Sequence, residues 1–164
     1  MSLSPRHLRL FVIRPVLVRL DLWSAAAEDL VLGTAAAETG LRLLDQVTSG
    51  ADDRLGPAYG LWQMEEATHD DLWRNMIAYR PELRAQVEAL LATWPRPVEQ
   101  LVTNLAYAAA LCRLHYRRVA EPLPAAGDLE GYGRYWKRHY NTEAGKGTPA
   151  GFVEKYAAAG CGFA

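Results

Sequence analysis

The chain has 164 residues, 50 % hydrophobic and 23 % charged, a balance that excludes a disordered chain and suits one globular domain over residues 1–164. Its net charge of −1 is unevenly spread: residues 1–21 carry four Arg and one acid, 22–112 six Arg and thirteen acids, and 113–164 eight basic residues and five acids. No continuous basic stripe marks a nucleic-acid partner, and no apolar run reaches the roughly 20 residues needed to span a membrane.

In chain order, residues 5–20 have a helical pattern that Pro15 either kinks or splits. The apolar stretch "HLRLFVIRPVLVRL" is interrupted by Arg9, Arg14 and Arg19, which is not the pattern of a signal peptide. Ser24 is placed to cap a helix running to Thr39, with Glu28 and Asp29 near its positive end and Gly40 as its stop. Residues 45–60 lack periodicity and are expected to form a loop or short hairpin. Thr68 is expected to start the next helix, with Asp71 completing a capping box, and Pro81 opens another. After "WPRP", one long helix is expected from Val98 to Val119, with Leu101, Leu105, Ala108, Leu111, Cys112 and His115 along one face. Leu129, Tyr132, Trp136 and Tyr140 mark a further helix face, and Thr148-Pro149 starts the last helix. The fold class expected is all-α. Cys112 and Cys161 have no metal or redox spacing and read as free thiols.

Two short stretches carry chemistry. In "TAAAETGLRL", Glu38 is a lone acid whose helix face carries Ala35, Thr34 and Val31. Desolvation and the negative end of the helix dipole would both raise its pKa, as a glycosidic general acid requires. The plainer alternative is a helix-end glutamate pointing to water. In "GPAYGLWQ", Gly56 and Gly60 permit tight turns, Tyr59 and Trp62 offer stacking faces, and Gln63 offers both a donor and an acceptor. The alternative there is a loop whose aromatic residues pack in the core.

Taken together, Glu38-Thr39, then Ala58, Gly60, Leu61 and Gln63, then Thr68 resemble the E-S, G-A-x-G-L-M-Q and Thr pattern of the lysozyme-like lytic transglycosylases (the SLT-type domain). "NLAYAAALCRLHY" supplies a counterpart to that family's Asn and Tyr-containing helix, giving Asn104 and Tyr107. The resemblance covers about residues 28–118, with Thr39 in place of Ser, Trp62 in place of Met, and Glu65-Glu66 near the usual Pro. It implies a lysozyme-like helical fold and cleavage of the β-1,4 bond between N-acetylmuramic acid and N-acetylglucosamine in peptidoglycan glycan strands.

On the same resemblance, Glu38 would be the catalytic acid and base, with Thr39, Tyr59, Gly60, Trp62, Gln63, Asn104 and Tyr107 binding or orienting substrate. Neither metal nor cofactor is required. A hydrolytic version would need a second carboxylate, for which Asp45, Asp52, Asp53, Glu65 and Glu66 are candidates. The segment "YWKRHYNTEAGKGTPAGFVEKY" is similar to the end of small phage-encoded proteins, so virion proteins are expected partners. The expected location is the virion, or the host cytoplasm before release to the cell wall.

Three readings remain open beside this one. A non-catalytic virion or assembly protein of lysozyme-like fold would bind wall glycan or a protein partner. Asn104 would orient the site or bond local backbone. Glu66-x-x-His69 has the spacing of a helical di-iron ligand pair, but the chain has no second copy, and a helix start accounts for it more simply. His115 reads as a packed or rim histidine, and Trp136 and Tyr140 read as core, outside the site.

Overall fold

The computed structural model describes residues 2–44 and 57–162. It is mostly helical, in agreement with the all-α expectation. The first segment runs through α1 (Pro5–Leu8), a π-helical turn over Arg9–Ile13, and α2 (Arg14–Arg19). Pro15 therefore neither ends nor splits the segment. The wider turn before it absorbs the missing N–H and the ring's clash with the preceding carbonyl.

The central helix α3 (Ala25–Thr39) has the boundaries its sequence predicts: Ser24 Oγ accepts from Ala27 N at 3.0 Å, and Gly40 ends it in the left-handed region at φ 59°. Alanine-rich turns give it high propensity, and it is buried on nearly every face, as a helix apolar all round should be. Gly33 lets α9 (Pro149–Ala158) close on it, because a Cβ there would lie 2.4 Å from Phe152 Cζ.

β1 (Ala58–Tyr59) and β2 (Met64–Glu65) form an antiparallel hairpin, pairing Ala58 with Glu65 and Tyr59 with Met64. The expected hairpin thus sits at the end of the 45–60 stretch and beyond it; residues 45–56, including Gly56, Asp45, Asp52 and Asp53, lie outside the described residues. β2 runs straight into α4 (Glu66–Asn75), which starts two residues before Thr68 and has no side-chain cap. Asp71 is not a capping-box partner either: it accepts from Asn75 Nδ2 at 2.6 Å and pairs with Arg118.

After α5 (Pro81–Glu88), the expected long helix is two: α6 (Gln100–Thr103) and α7 (Leu105–Arg117). Asn104 breaks it, with φ −126° and ψ 91°, and its Oδ1 caps α7 by accepting from Tyr107 N at 3.1 Å. α8 (Leu129–Trp136) continues into a π-helical turn over Lys137–Asn141, and Thr148 caps α9 as expected. Among the described residues no helix is long and apolar enough to cross a membrane. Cys112 and Cys161 are both free and buried.

The N-terminal segment is locked to this body by buried charge. Arg9 Nη1 donates to Glu28 Oε1 at 2.9 Å and Asp29 Oδ1 at 2.6 Å, and its Nη2 donates to Tyr156 Oη and the Cys161 carbonyl. Arg14 and Trp23 also donate to Glu28, and Tyr132 donates to Asp29. Glu28 and Asp29 do stand near the positive end of α3, but their main partners are these side chains.

Candidate functional site

Glu38 occupies the last turn of α3, partly buried beside α8 and α9. Its Oε1 accepts from Trp136 Nε1 at 3.0 Å, and its second oxygen has no hydrogen-bond partner among the described residues. Burial pushes the carboxyl pKa above the ordinary 4.5, outweighing the Trp136 N–H and the positive charge of Lys155, which pull the other way. Lys155 is itself held in place by donating to the Ala37 carbonyl. This carboxyl has what a proton donor needs: a raised pKa, a fixed orientation, and a nearby cation to receive the carboxylate left behind.

Beneath it lies a buried polar cluster. Tyr116 Oη and Thr34 Oγ1 share a hydrogen bond of 2.8 Å, with the buried Cys112 thiol and Tyr140 beside them. Burial drives the Cys112, Tyr116 and Tyr140 pKa values upward, and the Glu38 charge adds to each. All three remain neutral donors at ordinary pH.

Thr39 joins this helix end to the hairpin. Its Oγ1 is shared between the Ala35 carbonyl at 3.0 Å and the Leu61 carbonyl at 3.1 Å. The turn between the strands needs two left-handed residues, Gly60 at φ 71° and Gln63 at φ 46°. Gly60 admits no side chain, since a Cβ would lie 1.9 Å from the Leu101 carbonyl oxygen. Tyr140 Oη donates to the Trp62 carbonyl at 2.7 Å, so the turn after α8 grips the same loop. Gln63, with Nε2 donating to the Gly60 carbonyl at 2.9 Å, borders a cavity of about 200 Å³ with Glu65, Thr68, His115 and Tyr140.

Thr39 thus ties the end of α3 to the loop that holds Gly60 and Gln63, and Trp136 and Tyr140 contact Glu38 and that loop respectively, whereas Glu38 itself is not among the residues that line the Gln63 cavity. Tyr59 and Trp62 belong to the core instead. Trp62 is 1 % exposed with Nε1 donating to the Val31 carbonyl at 2.9 Å, and Tyr59 is 7 % exposed, so neither ring presents a face for sugar stacking. Asn104 bonds local backbone, as its alternative reading had it: besides capping α7, its Nδ2 donates to the Leu90 carbonyl at 2.7 Å. Tyr107 is wholly buried with a different set of partners, where its Oη accepts from Trp73 Nε1 at 2.7 Å and bonds His69 Nε2 at 2.8 Å.

The other His69 nitrogen, Nδ1, bonds Asp70 at 3.0 Å, so both ring nitrogens already have protein partners. Among the described residues no group of three or more His, Cys, Asp or Glu is arranged to hold a metal ion. Of the second-carboxylate candidates, Glu65 is exposed at the Gln63 cavity, whereas Glu66 is exposed with Arg96 3.8 Å away. His115 is a packed histidine: its Nε2 donates to the His139 carbonyl at 2.7 Å, and burial lowers its pKa to about 4.

Trp136, Tyr140 and Lys155 are the residues that sequence reasoning left out. Helical spacing marks Trp136 and Tyr140 correctly as inward-facing and says nothing of their polar edges. A buried indole N–H must find an acceptor, and a half-buried lone acid must find a donor. That mutual need is the available signal. Comparison of the chain with protein-family models, curated proteins and solved structures gives no match.

Proposed function

We propose that the protein has a lysozyme-like fold and cleaves the β-1,4 bond between N-acetylmuramic acid and N-acetylglucosamine in peptidoglycan. The observation that carries this reading is the Glu38 carboxyl, desolvated at the end of α3 and fixed by the Trp136 N–H beside the loop that Thr39 anchors. In this mechanism Glu38 gives its proton to the glycosidic oxygen as the bond to the muramoyl C1 breaks. The resulting carboxylate then takes a proton from the muramoyl 6-hydroxyl, or from water, as that oxygen bonds to C1. Gln63, at its cavity, would hydrogen-bond sugar hydroxyl or N-acetyl groups.

A second reading is favoured by a specific observation. With the rings of Tyr59 and Trp62 buried, the sugar-stacking faces that a processive wall enzyme would use are absent from this loop. A non-catalytic protein of the same fold, binding glycan or a virion partner, would have no need of them. Mass spectrometry of material released from isolated peptidoglycan by the wild type and by Glu38→Gln separates the readings. Anhydro-muramoyl ends from the wild type alone support the transglycosylase, and new reducing ends support the hydrolase. Wall binding by both without release of any product rejects cleavage and leaves the binding protein.

A further inference from the structure

Arg113 and Arg117 stand one turn apart near the end of α7, away from the Glu38 region. Arg113 is 8 % exposed; its Nε donates to the Leu22 carbonyl at 3.2 Å. Among the described residues, neither guanidinium has a carboxylate within ion-pairing distance, and the remaining Arg113 N–H groups have no protein acceptor. Burial first, and the neighbouring Arg117 charge second, pull the Arg113 pKa below its ordinary value. The negative end of α7 offsets part of this charge, and the Arg113 N–H groups without a protein acceptor are open to the surface and to a ligand rather than sealed in the core.

Both arginines border a cavity of about 240 Å³, walled by Tyr116, Tyr135, Pro122 and Leu123. The Tyr135 hydroxyl donates to the Glu121 carbonyl at 2.9 Å, which fixes that wall. The Glu121 carboxylate also borders the cavity, but its oxygens are engaged by Arg138 at 2.8 Å and His139 at 2.7 Å. The space thus has two uncompensated positive charges at one side and apolar residues at the other.

We propose that this cavity binds a phosphate dianion, either free phosphate or the terminal group of a small phosphate monoester. Two guanidinium groups balance two negative charges, whereas a carboxylate would neutralise one, and planar N–H forks match phosphate oxygens. Pro122 and Leu123 would meet the carbon atoms of an ester.

Isothermal calorimetry at constant ionic strength, with inorganic phosphate and glycerol 3-phosphate as probes and chloride as control, tests this. The wild type binds phosphate saturably, and Arg117→Gln, at an exposed position, weakens binding about tenfold or more. Tighter binding of glycerol 3-phosphate identifies the monoester as the ligand class, and equal or weaker binding identifies free phosphate. Arg113→Met loses the binding and, in phosphate-free buffer, melts no lower than the wild type, because it removes a partly desolvated charge that no carboxylate balances; a purely structural arginine would give a lower melting temperature. Absence of saturable binding to the wild type, or wild-type affinity in Arg117→Gln, overturns the proposal.

Discussion

Glu38 trades water for an indole N–H and a nearby ammonium, and the exchange leaves its proton held more tightly in the folded chain than in the unfolded one. The sign of the consequence follows from linkage: stability from the neutral carboxyl is fully present below the unfolded value, near 4.5, and is lost as pH rises through the raised folded value. Glu38→Gln, which cannot ionise, should therefore melt higher than the wild type at about pH 7 and close to it at about pH 4, as read by calorimetry at both pH values. Equal melting temperatures throughout would mean that the carboxyl is not desolvated. Trp136→Phe removes a donor that favours the ionised form, so the Glu38 pKa should climb further. The prediction is that the pH profile of peptidoglycan release shifts upward, and an unmoved profile would show that Trp136 does not act on the acid.

At the scale of elements, Asn104 has the largest local role. It caps α7, holds the Leu90 carbonyl and sets the angle between α6 and α7. Asn104→Ala should cost about 1–2 kcal/mol in urea unfolding, a loss in the range of other helix caps. Gly33→Ala should cost about 1–3 kcal/mol by pushing Phe152 off α3, and no loss would show that α9 adjusts freely. The ends of α3 and α9 were legible because Ser24, Gly40, Thr148 and Pro149 act on backbone within a few residues of themselves. The break at Asn104 was not, since the apolar spacing continues from Leu101 through Ala108 across it and masks a capping residue inside the run. Pro15 was ambiguous for a related reason: whether a proline breaks a helix depends on the preceding turn, and here a π-helical turn accommodates it. At the candidate site, the pattern in the sequence singles out Glu38, Thr39, Gly60 and Gln63, and the contacts that Thr39 makes with Ala35 and Gln63 with Gly60 lie within their own segments. Trp136, nearly a hundred residues from Glu38, reaches it only through the packing of α8 on α3, which local pattern does not encode.

Over the whole molecule, two acids of the same helix, the buried Glu28 and the partly buried Glu38, give opposite pH responses. Burial alone would raise the Glu28 pKa, but hydrogen bonds from Arg14, Trp23 and Arg9 outweigh it and hold the group below 4.5. Its contribution is present above the unfolded value and lost as pH falls through the folded one, the reverse of Glu38. Arg9 joins Glu28 and Asp29 to Tyr156 and the Cys161 carbonyl, so the first and last parts of the described chain meet at one guanidinium. Arg9→Ala leaves two buried acids short of a partner and should cost about 3–5 kcal/mol, a large share of a typical domain's stability. Chemical denaturation checks this, and a loss below about 1 kcal/mol would mean that the cluster is not a tie between the chain's two ends. The same tie fixes α3, and with it the position of Glu38 at the helix's far end. The most direct test of the central claim, that this fold delivers a carboxylic acid able to give up a proton at the loop, is a titration of the Glu38 carboxyl carbon by NMR. A midpoint above the ordinary glutamate range, rising further in Trp136→Phe, is the predicted result. A midpoint shared with the exposed glutamates would contradict the account, because Glu38 would then have no proton to donate.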